Sequence, residues 1–428
     1  MSLTSTHLLC GIGGDTEGFR LAGLAPVYAL NHLPVAISSH RANFPQVAHH
    51  CADVSQLDMR TLPETDVLWA SVICTEIAPA GRRKRHTGPL AVDAAGRPIG
   101  AGRFGRTRAT AFDIVRAAEV FRFPYIVIEN VTEFVSDWEV FPGWAGIWPL
   151  MGYRMQVVSA SAAHIGDHVA NLAPQHRDRV IIVLSRVDMP EPDLTLRPRS
   201  HCPGCGTVRG MQVWRKAASV RAARTGRPVV GKWNRQYDYR CPACGAVTEP
   251  HTRPAASIID FTDRGTTIAE KTAAGRPPKP YTLARLAACI DYLQADNTRR
   301  TGTRRLRPNG AQRVAVIEWR NHCDGASGWE PFSGISAQGN HHGIVLPPPG
   351  WSPGEPLDVG DLTYRVITDH EQKLAQCFRP DYIVHGDKRE ERTLQIGNAV
   401  PPNMARWIGE TIQDAVHTPG RRVFDLAA

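Results

Sequence analysis

The stretch His7-Leu8-Leu9-Cys10-Gly11-Ile12-Gly13-Gly14 is a short apolar strand that runs directly into glycines, and Asp15-Thr16-Glu17 then opens a helix. Glycines at a strand-to-helix junction let a ligand approach the backbone and place its polar end near the helix N-terminus. The spacing differs from the dinucleotide-binding fingerprint, so the glycines alone are a weak signal. The stretch nevertheless predicts the first strand–helix unit of an α/β domain.

Further strand and helix units follow this stretch at a regular interval. Strands are predicted at 27–30, 67–70, 125–128, 154–159 and 179–185, and helices at 34–43, 107–121, 282–293 and 403–415. The alternation in the first half predicts a doubly wound, mostly parallel sheet of the α/β class. Functional residues are expected just past the carboxyl ends of such strands. Three features lie there: the glycine turn, Cys74 and Glu129-Asn130-Val131.

Chain length, net charge and cysteine content indicate the number of domains, the kind of binding partner and the cellular compartment. A chain of 428 residues is long enough for two or three domains with a sizeable core. The net charge of +9 and the pI near 9.2 favour a polyanionic partner. Ten cysteines without a secretory signal indicate a reducing compartment, so a cytoplasmic location is expected. No apolar run approaches the roughly 20 residues of a membrane span, and no membrane association is expected.

Cys74 ends an apolar strand and is followed by a strongly basic segment. Seven arginines and one lysine lie between Gly81 and Arg108, against the single acid Asp93. A buried thiol is often only a small core residue, but a thiol facing a basic loop can act as a nucleophile toward a polyanion. Glycines and prolines interrupt the segment, which predicts a mobile phosphate-binding loop. The candidate DNA-binding residues are Arg82, Arg83, Lys84, Arg85, Arg106 and Arg108.

The middle of the chain carries two Cys-x-x-Cys knuckles, each followed by glycine. Four thiolates in this pattern predict a structural zinc site, whose ligands are Cys202, Cys205, Cys241 and Cys244. The 35 residues between the knuckles are rich in arginine and lysine, interleaved with Trp214, Trp233 and Tyr237. Cations interleaved with aromatic residues are typical of a DNA-contacting surface.

Six ordered motifs give the chain a family resemblance. They are Leu9-Cys10-Gly11-Ile12-Gly13-Gly14, Ala52-Asp53-Val54, Ser71-Val72-Ile73-Cys74, Glu129-Asn130-Val131, Gln175-His176-Arg177-Asp178-Arg179 and Gln395-Ile396-Gly397-Asn398-Ala399-Val400-Pro401. In these motifs the chain resembles the cytosine-5 DNA methyltransferases, which use S-adenosylmethionine. The resemblance spans roughly residues 7–185 and 360–415.

The resemblance implies a catalytic role for four residues. Cys74 would add as a thiolate to C6 of the cytosine ring, and Glu129 would bind the N3 and amino edge. Arg177 and Arg179 would hold the base and a nearby phosphate, and Arg179 is the closer match to the family's catalytic arginine. The base must leave the duplex to reach the thiol, so base flipping is implied.

The resemblance also implies a cofactor site and a domain order. The residues implied to bind S-adenosylmethionine are Leu9, Cys10, Gly11, Ile12, Gly13, Gly14, Asn31, His32, Asp53, Val54, Asn398, Ala399 and Val400. The expected domains are a catalytic domain at 1–188, a smaller target-recognition domain with a zinc ribbon at 189–390, and a segment at 391–428 that returns to the catalytic domain. A monomer that methylates double-stranded DNA is expected, and the sequence leaves three settings open: restriction-modification, a phage, or regulation.

The sequence departs from the family pattern around the nucleophile. Val72 and Ile73 stand where the family has paired prolines, and Thr75 and Glu76 follow Cys74. Proline stiffens a loop, and a carboxylate opposes an approaching phosphate, so lower activity is one implication. Two alternatives therefore stand beside a DNA methyltransferase. One is a zinc-ribbon DNA-binding protein on a weakly active or inactive scaffold, and the other is an RNA cytosine-5 methyltransferase.

Overall fold

The central sheet contains seven strands, five of which are parallel neighbours. They are β1 (Thr4–Leu8), β2 (Ala25–Asn31), β3 (Ala48–Cys51), β4 (Val67–Ala70), β5 (Tyr125–Asn130), β6 (Tyr153–Ser161) and β7 (Asp178–Arg186). Their spatial order is β3-β2-β1-β4-β5-β7-β6, and β7 runs antiparallel to both β5 and β6. The computed structural model describes residues 2–73, 101–295, 312–319, 325–339 and 341–417, and of residues 101–109 only the backbone. The predicted doubly wound, mostly parallel sheet is confirmed.

Helices cover both faces of this sheet. They are α1 (Gly14–Leu21), α2 (Pro34–Asn43), α3 (Ala101–Phe121), α4 (Thr132–Ser136) and α5 (Phe141–Leu150). The side chains of strand β4 alternate between the two faces of the sheet. Because both faces are covered by other parts of the protein, all four residues of the strand are buried. Leu68 packs in the cluster formed with α3 and α5, whereas Trp69 packs in the cluster on the opposite face.

Helix α3 begins earlier than the sequence indicated. The basic segment up to Arg108 was expected to be a loop because of its glycines, but the helix already starts at Ala101. The second half of α3 is buried against the sheet through Ala111, Ile114 and Ala118. Extending a helix that packing has fixed is much easier than nucleating one, so single glycines that cost about 1 kcal/mol each are tolerated.

A second sheet, of five strands, follows the first sheet along the chain. Its strands are β8 (Arg199–Cys202), β9 (Gly206–Arg209), β10 (Met211–Trp214), β11 (Tyr237–Arg240) and β12 (Val247–Pro250), with α6 (Lys216–Thr225) between β10 and β11. The strand order is β10-β11-β12-β8-β9. The turn between β8 and β9 and the turn between β11 and β12 each carry one cysteine knuckle, and this small sheet corresponds to the predicted zinc ribbon.

A third sheet and four further helices follow along the chain. Helices α7 (Ile268–Ala273) and α8 (Pro280–Gln294) precede β13 (Ala315–Glu318), β14 (Ala326–Ser327), β15 (His342–Leu346) and β16 (Thr363–Val366), and α9 (Asp369–Ala375) and α10 (Arg389–Asn398) follow. The strand order is β14-β13-β15-β16. Leu286 and Cys289 of α8 pack on this sheet.

The last helix lies on the first sheet. Helix α11 (Pro402–His417) crosses α1 so closely that a Cβ on Gly18 would lie 2.5 Å from the Cβ of Ala405. Met404, Ile408 and Ile412 of α11 belong to the same apolar cluster as Trp69. Within the described ranges, no helix combines the length and the hydropathy that a membrane crossing requires.

Candidate active site and zinc site

The winding of the first sheet reverses between β1 and β4. In open α/β sheets, ligands bind outside the carboxyl ends of the strands at such a switch point. The segment Leu9–Gly14 follows β1 and the segment Ser71–Ile73 follows β4. The glycine turn and the segment that leads to Cys74 therefore meet at one edge of the sheet.

The turn after β1 is built from backbone conformations that suit glycine. Gly11 and Gly13 have φ values of +54° and +91°, and Leu9 is also in the left-handed region at +59°. The Gly13 N–H donates to the Cys10 carbonyl over 2.9 Å, which closes the turn. The Gly13 carbonyl then accepts from the Glu17 N–H at 2.8 Å and starts α1. Such a turn lets a ligand approach the backbone closely at the helix N-terminus.

The C-terminal motif lies directly against this turn. A Cβ on Gly14 would stand 1.8 Å from the Val400 carbonyl oxygen, so only glycine fits there. Ala399 is buried and Asn398, the last residue of α10, is exposed. The structure thus brings the first and last motifs together although nearly the whole chain separates them.

The other cofactor candidates lie at the ends of β2 and β3. Asn31 is 7% exposed, and its side-chain oxygen accepts from the Leu33 N–H at 2.9 Å. His32 is exposed beside it. Asp53 accepts from the Ser55 N–H at 3.0 Å and precedes the buried Val54. The Asn31 side chain is therefore engaged in its own turn.

The segment that precedes Cys74 is anchored by hydrogen bonds. The Asn130 side-chain amide donates to the Val72 carbonyl at 3.0 Å, and the Ile73 N–H donates to the Thr110 hydroxyl at 3.3 Å. Asn130 belongs to the Glu-Asn-Val motif, so this motif holds the backbone that leads to the candidate nucleophile. Cys74 itself lies outside the described residues. The same holds for Arg82, Arg83, Lys84 and Arg85 and for the side chains of Arg106 and Arg108.

Glu129 and Arg179 form an ion pair at the same edge. The Arg179 Nε lies 2.8 Å from the Glu129 Oε1, and the two side chains are 18% and 10% exposed. Their strands are neighbours, because Glu129 pairs with Ile181 across β5 and β7. Partial exclusion of water strengthens the attraction between these two opposite charges. A carboxylate held in this way can accept hydrogen bonds from the amino edge of a cytosine.

Arg177 has a different environment from Arg179. It is 4% exposed, and its guanidinium donates to three carbonyls: Ile335 at 3.0 Å, Gly397 at 3.0 Å and Ala399 at 2.8 Å. This placement differs from the phosphate contact expected from the sequence, because the guanidinium is directed at backbone carbonyls. It joins the segment before β7 to the C-terminal motif.

Asp178 is a polar residue of the site that the sequence did not single out. Its carboxylate accepts from the Trp233 N–H at 3.2 Å, and its carbonyl accepts from the Arg179 Nη1 at 2.8 Å. Burial raises the pKa of Asp178 to about 6, although the Trp233 N–H and the nearby Lys232 and Arg179 act in the opposite direction. The feature of the sequence that could have identified Asp178 is its position between Arg177 and Arg179.

The four knuckle cysteines converge on one point. All four Sγ atoms lie within 4.8 Å of one another, and those of Cys202 and Cys244 are 3.5 Å apart. A tetrahedral zinc with Zn–S bonds of about 2.3 Å requires Sγ atoms about 3.8 Å apart, so the donor set fits this metal. Gly206 and Gly245 follow the knuckles with φ values of +76° and +74°. These conformations are the reason for a glycine after each knuckle.

Comparisons with known proteins agree with this geometry. The model of the C-5 cytosine-specific DNA methylase family matches residues 3–201 and 260–414, and the unmatched interval between them contains all four cysteines. The chain is 27% identical over 204 residues to the Type II methyltransferase M.AgeI of Thalassovita gelatinovora, covering 44% of this chain and 42% of that protein. It is 26% identical over 179 residues to the Type II methyltransferase M.MspI of Moraxella sp, covering 41% and 37%. The matched segments thus span about two fifths of the length of these relatives.

Solved structures show the same fold. A DNMT2 variant of Spodoptera frugiperda superimposes with a TM-score of 0.52 at 15% identity, covering 96% of this chain and 100% of that one. The Dnmt2 methyltransferase of S. pombe gives 0.51 at 12% identity, covering 96% and 98%. Because the family model matches most of the sequence, the chain belongs to the C-5 cytosine-specific DNA methylase family.

Proposed function

We propose that the chain is a DNA cytosine-5 methyltransferase that modifies a cytosine flipped out of double-stranded DNA. The observation that carries the proposal is the position of the Glu129–Arg179 ion pair, at the sheet edge that also holds the glycine turn and the segment leading to Cys74. A base-binding carboxylate, a thiol and a cofactor turn at one edge are what this chemistry needs. The family's description as DNA methylases and the Type II relatives support DNA as the substrate.

The proposed mechanism assigns one task to each group. Cys74 Sγ adds to C6 of the flipped cytosine, which makes C5 nucleophilic. Glu129, oriented by Arg179, binds the N3 and amino edge and stabilises protonation at N3. S-adenosylmethionine supplies an electrophilic methyl group when it is bound. Methyl transfer to C5 would leave S-adenosylhomocysteine, after which loss of the C5 proton to water and expulsion of Sγ as a thiolate would restore the aromatic ring.

The proposed cofactor site is the switch point of the sheet. The Leu9–Gly14 turn would hold the amino-acid end of S-adenosylmethionine at the start of α1. Residues Asn31, His32, Asp53 and Val54 would line the side toward β2 and β3, and Asn398, Ala399 and Val400 would close it from the C-terminal segment. We assign Arg177 to the support of this last segment.

The proposed DNA surface combines the basic segment and the second half of the chain. The basic residues Arg82, Arg83, Lys84, Arg85, Arg106 and Arg108 would contact phosphates, consistent with the net charge of +9. Residues 189–390 would form the target-recognition domain, and residues 391–428 would return to the catalytic domain. Restriction-modification is the proposed setting, because the relatives are Type II methyltransferases.

Zinc is the proposed ligand of the cysteine cluster, in a structural role. Metal analysis of the purified protein should give about one zinc per chain. A Cys205→Ser variant should lose it, whereas Cys51→Ser, which alters an exposed thiol on β3, should keep it. A wild-type protein without zinc after purification in zinc-supplemented medium would contradict the assignment.

The function is tested by trapping the covalent intermediate. Long duplex DNA in which cytosine is replaced by 5-fluorocytosine offers many target sequences at once. Fluorine cannot leave as the C5 proton does, so an active thiol stays bonded to C6. With S-adenosylmethionine present, the protein should form a complex with this DNA that survives denaturing electrophoresis.

Three controls make the trapping experiment decisive. Cys74→Ser should abolish the complex, and Cys51→Ser should leave it intact. Glu129→Gln should reduce its rate of formation by about a hundredfold. Absence of a complex with the intact protein would favour the inactive DNA-binding alternative, and trapping on 5-fluorocytosine RNA alone would favour the RNA alternative.

A further inference from the structure

The zinc-bearing insert lies against the catalytic sheet. It occupies the interval 202–259 that the family model does not match. The Gln212 side-chain amide donates to the Ser159 carbonyl at 3.1 Å, and the Gly231 N–H donates to the Ser159 hydroxyl at 3.1 Å. Ser159, in β6, is 1% exposed, so this contact is shielded from water. The insert is therefore packed onto β6, the strand that pairs with β7.

Cations of the insert bind the region immediately after the Glu-Asn-Val motif. Lys232 Nζ lies 2.8 Å from the Glu133 Oε1 in α4, and Arg221 Nη2 lies 2.6 Å from the Asp137 Oδ1 just after α4. The Arg227 guanidinium donates to two carbonyls of the same region, those of Val135 at 2.7 Å and Trp138 at 2.8 Å. The sequence favoured DNA contact for these basic residues, but the structure directs three of them at the catalytic domain.

Trp233 contacts the Gln-x-Arg-x-Arg motif in two ways. Its backbone N–H donates to the Asp178 carboxylate, and its ring stacks on His176 with centroids 5.3 Å apart and planes at 22°. The Asp178 carbonyl in turn accepts from Arg179, whose Nε contacts Glu129. Asp178 therefore contacts Trp233 of the insert through its carboxylate and contacts Arg179, the ion-pair partner of Glu129, through its carbonyl.

The cysteine cluster fixes the segment that carries Lys232 and Trp233. The backbones of Trp233 and Tyr237 form an isolated β-bridge, and the Asn234 N–H donates to the Tyr237 carbonyl at 2.8 Å. Tyr237 is the first residue of β11, is fully buried, and lies four positions before Cys241. A metal that ties Cys241 to the knuckle of β8 and β9 therefore holds β11 and the segment 231–236 in place.

We propose that the insert at 202–259, held together by a metal at its four cysteines, fixes the position of the Glu129–Arg179 pair. We call the insert in this role the clamp, and its positioning residues are Lys232 and Trp233. The clamp acts through Glu133 in α4 and through Asp178 at the start of β7. This inference rests on the proposed function for its catalytic consequence, but the clamp itself is a structural property with its own readout. Loss of the clamp lowers the rate of the chemical step more than it lowers affinity for DNA, because Glu129 is misoriented while DNA contacts persist.

The kinetic test compares three substitutions in the insert. Lys232→Met removes the ion pair with Glu133, Lys232→Arg keeps a cation there, and Lys216→Met removes an exposed cation of α6 with the same change of charge. Methylation of DNA should show kcat reduced about tenfold for Lys232→Met, with KM for DNA within about twofold of the wild type. Lys232→Arg should restore most of kcat, and Lys216→Met should leave kcat unchanged. An Lys232→Met variant that changes KM alone would show a DNA contact and overturn the proposal.

Hydrogen–deuterium exchange tests the clamp independently of activity. In Lys232→Met, and in wild-type protein stripped of metal by a chelator, peptides covering 129–137 and 175–181 should exchange roughly tenfold faster. Peptides covering 4–31 should be unchanged, and readdition of zinc should restore the wild-type pattern in the stripped protein. Unchanged exchange in both regions would overturn the clamp. A wild-type protein that does not methylate DNA would instead refute the proposed function, and the exchange result would still decide the clamp.

Discussion

Replacing Arg177 with methionine should lower stability rather than remove a DNA contact. The change keeps much of the apolar stem but deletes the guanidinium that donates to the carbonyls of Ile335, Gly397 and Ala399. Hydrogen bonds from a charged donor contribute about 1.5–3 kcal/mol each. Relief from burying the cation offsets several kcal/mol of that sum. A net loss of about 3 kcal/mol in the free energy of unfolding is expected.

The expected shift in melting temperature follows from the size of the chain. Unfolding entropies near 2.1 cal/mol/K per residue give roughly 0.9 kcal/mol/K for a cooperative chain of 428 residues. A loss of about 3 kcal/mol then lowers Tm by about 3 °C. Affinity for S-adenosylmethionine should fall as well, because the Ala399 carbonyl that Arg177 holds precedes Val400 at the glycine turn.

Arg179→Met is the matched control for this experiment. Arg179 pairs with Glu129 and, among the residues that the structure describes, makes no contact with the C-terminal motif that Arg177 holds, so its loss should reduce kcat about a hundredfold and leave affinity for S-adenosylmethionine within about twofold. Scanning calorimetry, titration with S-adenosylmethionine and steady-state methylation separate the two outcomes. An Arg177→Met protein with unchanged Tm and cofactor affinity but weakened DNA binding would refute the structural role.

Three further substitutions have distinct expected results. Gly14→Ala should weaken S-adenosylmethionine binding at least about tenfold by calorimetric titration, because its Cβ meets the Val400 carbonyl, whereas Gly143→Ala in an open stretch of α5 should not. Asn130→Ala should lower kcat about tenfold, because it releases the backbone that leads to the proposed nucleophile, and normal kcat would contradict that anchoring role. Because the pKa of Asp178 is raised, its carboxyl group holds a proton more tightly in the folded protein than in the unfolded chain. The free energy of unfolding of the wild type should therefore fall as the pH rises from 3.8 to about 6. Relative to Asp178→Asn the fall should be at most about 3 kcal/mol in denaturant titrations, and parallel pH profiles would contradict it.

Local sequence patterns predicted six strands of the central sheet and missed the edge strand β3 (Ala48–Cys51), whose sequence has no apolar run. The apolar run at 67–70 and the helix at 34–43 occur with the predicted bounds, because a buried strand and a proline-started helix are both recognisable locally. The spacing of the two cysteine knuckles predicted the cluster that the structure shows, since four thiols at this spacing have few other uses.

The remaining features depend on contacts between distant parts of the chain. The early start of α3 follows from burial of its second half, which residue preferences in the first turns do not reveal. The interleaved cations predict a DNA-contacting surface for Trp233 and Tyr237, yet Tyr237 is fully buried and Trp233 stacks on His176. An aromatic residue among cations has the same local pattern whether it faces DNA or another part of its own protein.

Transfer of a labelled methyl group is the most direct test of the central claim. The protein is incubated with S-adenosylmethionine labelled in its methyl group and with duplex DNA of diverse sequence, and the hydrolysed DNA is separated into its bases. The intact protein should place label in 5-methylcytosine, and Cys74→Ala should place none. An intact, zinc-loaded protein that places no label in the cytosines of DNA would contradict it.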